Sequence, residues 1–498
     1  MSRSMHRLAL VALIAAGLGV ASANSTAASA ADFPSTPPPP AAAPRLHVPT
    51  PSSQTLANGL RVVSVRRADL PLVTARLLIR RGGEMDPAGE AGLASLTANL
   101  LTKGAAGKTA PQIAAAAEAL GGTLDASAGW DESGVGITVT TPRLGEALAL
   151  LADVVRRPAF AEDELSRART QALDDLQLML SRPTTLASLA AARGVFGDGA
   201  YGHSRSGTPA SLKRITRTDV EQLHRTLYRP DNAILVLTGD ITPAQAAELA
   251  RASFGDWQAP ATPLAAAPVA GGRTALPDLL VIDQPGAGQA GVVAAHTAPP
   301  RGDADFYVGT VANAVLGGSY SARLNEEIRI KRGLSYGASS SFDPRRGSGL
   351  WLAAAQTKNP SATQVVTLMQ GEFDRLGSTP VGADELAARK ATLAGEYGRS
   401  LETTSGLARQ VGELAVYGVD LADIGRYIDR VQAVTPAQIQ RYAQAHLGES
   451  GRHVVVVGDA AQFGAALLKA HPQGRQLPAK SLDLDDASLQ ATEVAGAR

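Results

Sequence analysis

The 498-residue chain contains no cysteine, which excludes a disulfide framework and a lipid-modified cysteine anchor alike. Its eight histidines form no H-x-x-H or H-x-x-x-H pair. No zinc helix of that spacing can be drawn, and an isolated histidine such as His203 reads as an exposed loop residue. A sizeable net charge of either sign is also missing. The 47 basic residues face 46 acidic ones, a balance that speaks against nucleic acid or an anionic membrane surface as partner. Beyond the N-terminus no apolar run is long enough to span a bilayer. Gly104-Ala105-Ala106-Gly107-Lys108-Thr109 ends like a phosphate-binding loop, but the motif's first glycine would fall on Thr102, and a helix rather than a strand precedes it. Nucleotide binding is excluded on that count.

What is present begins with Arg3 and Arg7, the apolar run Leu8 to Val20, and small-residue sites at Ala21-Ser22-Ala23 and Ala28-Ser29-Ala30. This is the three-part pattern of a secretory signal peptide over residues 1–30, so a periplasmic or secreted location is expected. Its removal takes away two arginines and no acidic residue, so 47 basic against 46 acidic residues become 45 against 46. Residues 31–49 are Pro/Ala-rich and include Pro37-Pro38-Pro39-Pro40, the composition of an extended tether. The reading then places one domain at 50–258, a Pro/Ala/Gly-rich linker at 259–277, a second domain at 278–474 and a loosely ordered tail at 475–498.

The two domains repeat one another. Leu235-Val236-Leu237-Thr238-Gly239-Asp240 has its counterpart in Val454-Val455-Val456-Val457-Gly458-Asp459, positions 240 and 459 being 219 apart. Each of these buried strands follows a helix, Ile215 to Leu227 and Val434 to His446. Glu164-Leu165 and Glu385-Leu386 recur 221 apart. A period of this size implies duplication of a whole domain. Within the first copy, Val73, Ala75, Leu77 and Ile79 alternate with Thr74, Arg76, Leu78 and Arg80 as on a half-buried strand, and Gly347 to Gln356 gives another strand in the second. Thr109 to Leu120, Arg143 to Arg156 and Ala161 to Leu180 read as helices, the last two as a hairpin broken before Pro183. The fold class is therefore α+β, an antiparallel-rich sheet packed with helices, made twice.

Gly92-Leu93-Ala94 leads into a helix that Lys103-Gly104 closes, a frame that resembles the one around the H-x-x-E-H motif of the pitrilysin/insulinase metallopeptidases. In that family the two histidines bind zinc and the glutamate activates the bound water. The matching positions here are Ser95, Ala98 and Asn99, and the family's third ligand falls near Asp174-Asp175. Catalytic zinc requires about three imidazole, thiolate or carboxylate ligands, so the resemblance implies a degenerate site with no cofactor in this chain. Taken alone, Ser95 and Asn99 are polar positions on a helix whose Leu93, Leu96, Leu100 and Leu101 face a core.

The segment most similar to the family is Leu316-Gly317-Gly318-Ser319-Tyr320-Ser321-Ala322-Arg323-Leu324, continuing through Asn325 to Tyr336. Arg329 and Tyr336 stand seven residues apart, as the family's Arg and Tyr do. The resemblance implies that Tyr336 donates to the substrate carbonyl as its oxygen gains charge, that Arg329 holds the peptide, and that Gly317, Gly318 and Ser319 border it. Without the resemblance, Arg329 is a solvated helix residue, Tyr336 a packing residue, and the two glycines a helix cap. The family includes paired enzymes in which one chain carries H-x-x-E-H and zinc while the other keeps only the Arg and Tyr. The expected function is accordingly a zinc-free, substrate-binding subunit of a heterodimeric zinc endopeptidase, with an H-x-x-E-H-containing homologue and peptides as partners. The alternative is a stand-alone peptide-binding or scaffold protein on an inactive peptidase fold.

Overall fold

The computed structural model describes residues 48–490, so the signal peptide and all but the end of the tether lie outside the described residues. The valine- and leucine-rich runs form two six-stranded sheets. The first contains β1 (Ser52–Thr55), β2 (Arg61–Arg66), β3 (Leu72–Ile79), β4 (Asp125–Ala128), β5 (Ser133–Thr140) and β6 (Ala233–Gly239), in the order β1-β2-β6-β3-β5-β4. The second contains β7 (Leu279–Asp283), β8 (Ala290–Ala298), β9 (Ser335–Asp343), β10 (Gly349–Thr357), β11 (His453–Gly458) and β12 (Arg475–Pro478), in the order β12-β7-β11-β8-β10-β9. Strand for strand the two orders correspond. They differ only at one edge, where β1 runs antiparallel to β2 and β12 runs parallel to β7. The segment read as a loose tail thus opens with a paired strand, and Leu477 and Leu489 are buried; apolar side chains at these positions draw it onto the core.

Helices lie where capping and periodicity put them. Ala110–Ala119 starts on a Thr109/Gln112 capping box. The hairpin is α2 (Leu144–Arg156) and α3 (Glu162–Leu180), preceded by α1 (Leu93–Leu100). The hairpin ends at Leu180, before Pro183 as the sequence reading has it. Pro183 sits at the first position of a further helix, α4 (Pro183–Phe196), where its missing N–H has no intrahelical partner to lose.

One face of each sheet is covered by helices of its own half. Val73, Ala75, Leu77 and Ile79 pack with Leu93, Leu96, Leu100, Leu148 and Leu151. In the second half, Val292 and Ala294 pack with Val311 and Val315 of α5 (Phe306–Leu316) and with Val365 and Phe373 of α6 (Ala362–Ser378). The other face is covered from across the molecule. Leu186, Ala187 and Ala190 of α4, which belongs to the first half, pack on Ile282, Val293 and Val455 of the second sheet. In return, Leu407, Val411 and Leu414 of α8 (Thr404–Tyr417), which follows α7 (Ala383–Ser400), pack on Val63, Leu78 and Val236 of the first. The two exchanged helices begin at 183 and 404 and end at 196 and 417, 221 residues apart in both cases.

This exchange corrects the reading of β3 as half-buried. Thr74 and Leu78, expected toward water, are buried, because a helix 330 positions away in sequence covers that face, with Thr404 Oγ1 2.8 Å from Thr74 Oγ1. Close approach demands small residues. A Cβ on Gly291 of β8 would lie 2.4 Å from the Thr184 backbone nitrogen of α4, so only glycine fits there.

The seam between the halves also carries a buried charge. Asp131 accepts from Tyr201 Oη (2.5 Å), Tyr417 Oη (3.1 Å) and the Arg346 backbone N–H (2.9 Å), joining both halves on one carboxylate. Burial and the Asp131 charge push both phenols upward in pKa, so they remain donors to it at any physiological pH.

Candidate functional site

α1 is built firmly, and its chemistry is missing. Asp86 caps its N-terminus, accepting from Gly92 N (2.7 Å) and Ala94 N (2.8 Å), which places a carboxylate on the positive end of the helix dipole. Gly92 has φ +92 and its Cβ would sit 2.9 Å from Gly207. His203 is not an exposed loop residue: its Nε2 lies 3.5 Å from Asp86 Oδ2 and its ring meets Trp130 edge-on.

On α1, Ser95 Oγ donates to the Arg205 carbonyl at 2.9 Å, Ala98 is fully buried, and Asn99 is exposed. Asp174 and Asp175 are exposed on α3, and Asp175 accepts from Gln171 Nε2 at 2.9 Å. A hydroxyl bound elsewhere, a buried methyl and an amide are poor donors for zinc. Among the described residues no three His, Cys, Asp or Glu side chains converge as ligands. The residues of this site do not fit zinc.

The second constellation is assembled by specific contacts. α5 ends at Gly317, where a Cβ would meet the Ser340 backbone nitrogen at 2.4 Å. That contact lets Ser340 N donate to Gly317 O at 3.0 Å and seats the loop against β9. Asn325, 3% exposed, bridges the same two elements: its Nδ2 donates to Tyr320 O (2.6 Å) and its Oδ1 accepts from Ala338 N (3.1 Å). Arg389 of α7 donates to Ser319 Oγ (3.2 Å) and Ser321 Oγ (2.7 Å). Arg323 pairs bidentately with Glu385 at 2.9 and 2.8 Å. Gly317, Gly318 and Ser319 therefore have structural work in holding the loop.

Arg329 lies in a π-helical turn, Glu326–Ile330. Tyr336 lies in a bulge of β9 between Ser335 and Ala338 that turns it off the sheet, and it is 89% exposed. The structure brings these two predicted residues together. It adds a third that sequence reasoning missed, since the Arg329 guanidinium carbon lies 4.8 Å from the ring centroids of both Tyr336 and Tyr320, within cation–π range. In the sequence Tyr320 reads only as part of the Gly-Gly-Ser-Tyr turn, and its position over Arg329 depends on the Asn325 bridge, which no spacing rule reveals.

Gly333-Leu334-Ser335-Tyr336-Gly337 also spells G-x-S-x-G. It opens a strand rather than joining a strand to a helix, and Ser335 Oγ is tied to Gly337 O at 2.6 Å, so it is not a nucleophile elbow. A cleft of about 690 Å³ runs between the halves. Its walls include Arg205, the partner of Ser95, and Gly318 of the tyrosine loop, so both constellations border it.

This architecture, a duplicated α+β unit with reciprocal helix exchange and a zinc helix emptied of ligands, defines the class of protein. Comparison with known sequences gives the family. Residues 61–205 match Insulinase (Peptidase family M16) and residues 214–393 match the Peptidase M16 inactive domain. The chain belongs to the M16, or insulinase, family of peptidases, and its second half matches that family's inactive domain. Similar curated proteins include an uncharacterised zinc protease of Streptomyces coelicolor, 25% identical over 398 residues (79% of this chain, 86% of that protein). Another, from Mycobacterium leprae, is 24% identical over 424 residues (85% and 93%). Among solved structures, a peptidase M16 inactive domain from Pseudomonas fluorescens superposes with TM-score 0.76 at 27% identity, covering 82% of this chain and 98% of that one. A protease from Helicobacter pylori shares the fold with TM-score 0.78 at 20% identity, covering 83% and 100%. The two family matches part between residues 205 and 214, whereas the first sheet is completed only by β6 at Ala233–Gly239.

Proposed function

We propose that this chain is the zinc-free, substrate-binding subunit of a heterodimeric periplasmic zinc endopeptidase. A homologous partner would carry H-x-x-E-H and the zinc, and this chain would supply Arg329 and Tyr336 to the partner's cleft. The observation that carries the reading is the contrast between the two constellations. The zinc positions hold Ser95, Ala98 and Asn99, while the Arg/Tyr pair is intact, with Tyr336 exposed beside a half-buried Arg329, and is braced by Asn325 and Arg389. Amide hydrolysis develops negative charge on the carbonyl oxygen, and a positioned hydroxyl donor such as that of Tyr336 stabilises it. Arg329 holds the peptide so that the carbonyl meets that donor. The periplasmic location rests on the signal-peptide pattern of residues 1–30.

Two experiments test the proposal. Gentle affinity isolation of the tagged chain from its native host should bring down a stoichiometric H-x-x-E-H homologue with zinc in proportion to it. Recovery of the chain alone would sink the paired-peptidase reading and favour a stand-alone peptide-binding protein. In the isolated complex, Tyr336→Phe removes one donor and little volume, so turnover should fall roughly 10²–10³-fold, the cost of an oxyanion donor, with assembly unchanged.

A further inference from the structure

Around the tyrosine loop Arg389 is spent on the Ser319 and Ser321 hydroxyls, and the other cations, Arg329 apart, are paired with carboxylates. Arg301 is paired with Glu413, Arg323 with Glu385, Lys331 and Arg332 with Glu327, and Arg345 with Asp343. Among the described residues no carboxylate lies within 4.0 Å of Arg329, and its guanidinium donates no hydrogen bond. It is nevertheless half-buried, and aromatic rings cover it from two sides. Three of the most exposed large apolar side chains, Tyr320 (65%), Ile330 (48%) and Tyr336 (89%), stand around it.

The backbone behind this plate is already committed. Ser340 N and Ala338 N of the edge strand β9 donate to Gly317 O and Asn325 Oδ1, so a peptide cannot dock here by taking those two donors as an added strand would. Recognition falls to side chains. A guanidinium held between two aromatic rings with its N–H donors unspent matches, in both geometry and charge, a planar carboxylate.

We propose that Tyr320, Arg329 and Tyr336 form one binding site for a peptide carboxylate, supplied by either a free C-terminus or an Asp/Glu side chain. This rests on the reading of the chain as a peptide-binding subunit and names what Arg329 grips. Tyr320 is a positioning residue: its ring holds the guanidinium, and Asn325 holds Tyr320. Tyr336 lends a second ring and keeps its hydroxyl for the carbonyl.

The test is a binding titration of the full chain with four fluorescent peptides of one acid-free sequence: the free acid, the C-terminal amide, and amides with one internal Glu or one internal Gln. At least one carboxylate peptide should bind about 10-fold or more tighter than its neutral match, as expected for a charge-assisted bidentate pair. The free acid against its amide reports a C-terminal source, and Glu against Gln a side-chain source. The preference should vanish in Arg329→Gln, survive in Tyr320→Phe, and shrink in Tyr320→Leu, a pattern that loss of packing alone would not give. Acid and neutral peptides binding within two-fold of each other, a preference unchanged in Arg329→Gln, or binding of none of the four would each overturn the proposal. If that happens while Tyr336→Phe still slows the complex, the carboxylate site falls and the subunit reading stands.

Discussion

Glu84 offers a direct test of how dry the seam between the halves is. The residue is 2% exposed; Oε2 accepts from Gly82 N at 2.6 Å, and Oε1 is buried with no protein partner. Burial is the main cause that pushes its carboxyl up to about 8, with the Asp131 charge adding to it and Arg346 and Arg81 opposing. A folded-state value above the unfolded one means the folded chain holds the proton more tightly. The stabilisation is therefore complete below the unfolded value of about 4.5 and is lost as pH rises toward 8. At about 1.4 kcal/mol for each pH unit, the loss across that window has a ceiling of about 4–5 kcal/mol. Glu84→Gln keeps the acceptor for Gly82 N and cannot ionise, so it stands in for the protonated form. Urea unfolding of both proteins from pH 5 to pH 9 should give free energies within about 1 kcal/mol at pH 5 and a variant about 3 kcal/mol more stable at pH 8.5. Parallel pH curves for the two proteins would refute the argument and mean that water or a cation reaches Oε1.

Two further predictions probe the seam. Asp131→Ala strips the carboxylate shared by Tyr201, Tyr417 and Arg346 and should lower unfolding free energy by about 3–5 kcal/mol, as for a broken buried ionic network. Asp131→Asn, which keeps one acceptor, should lose less, and a loss under 1 kcal/mol for the alanine variant would show the hub to be dispensable. Gly291→Val drives a side chain into the Pro183–Thr184 backbone and should cost about 3 kcal/mol, with new proteolytic cuts within residues 183–196; an unchanged digestion pattern would mean that α4 is not seated as described.

Local signals carried much of this structure. The duplication and the helices at Ala110–Ala119, Leu144–Arg156 and Glu162–Leu180 followed from periodicity and caps, and the juxtaposition of Arg329 with Tyr336 from the family resemblance. What escaped was set by partners remote in the chain. β3 was misjudged because α8 covers its second face. The strand β12 hid in a polar-looking tail because parallel pairing with β7 leaves no alternation over four residues. The aspartate hub, the cap that Asp86 gives α1, and the alignment of Tyr320 over Arg329 each join segments that no window along the chain brings together.

The exchange of α4 and α8 leaves neither half complete alone. A single copy of the repeat, cut free, would leave one face of its sheet bare, with Leu280, Ile282, Val293 and Val455 or Val63, Leu78 and Val236 open to water. Such a face is not compatible with a soluble monomer. Two such copies would cover both faces by pairing symmetrically, each lending its helix to the other. In the joined chain the seam between the halves is that dimer-like contact, made within one molecule.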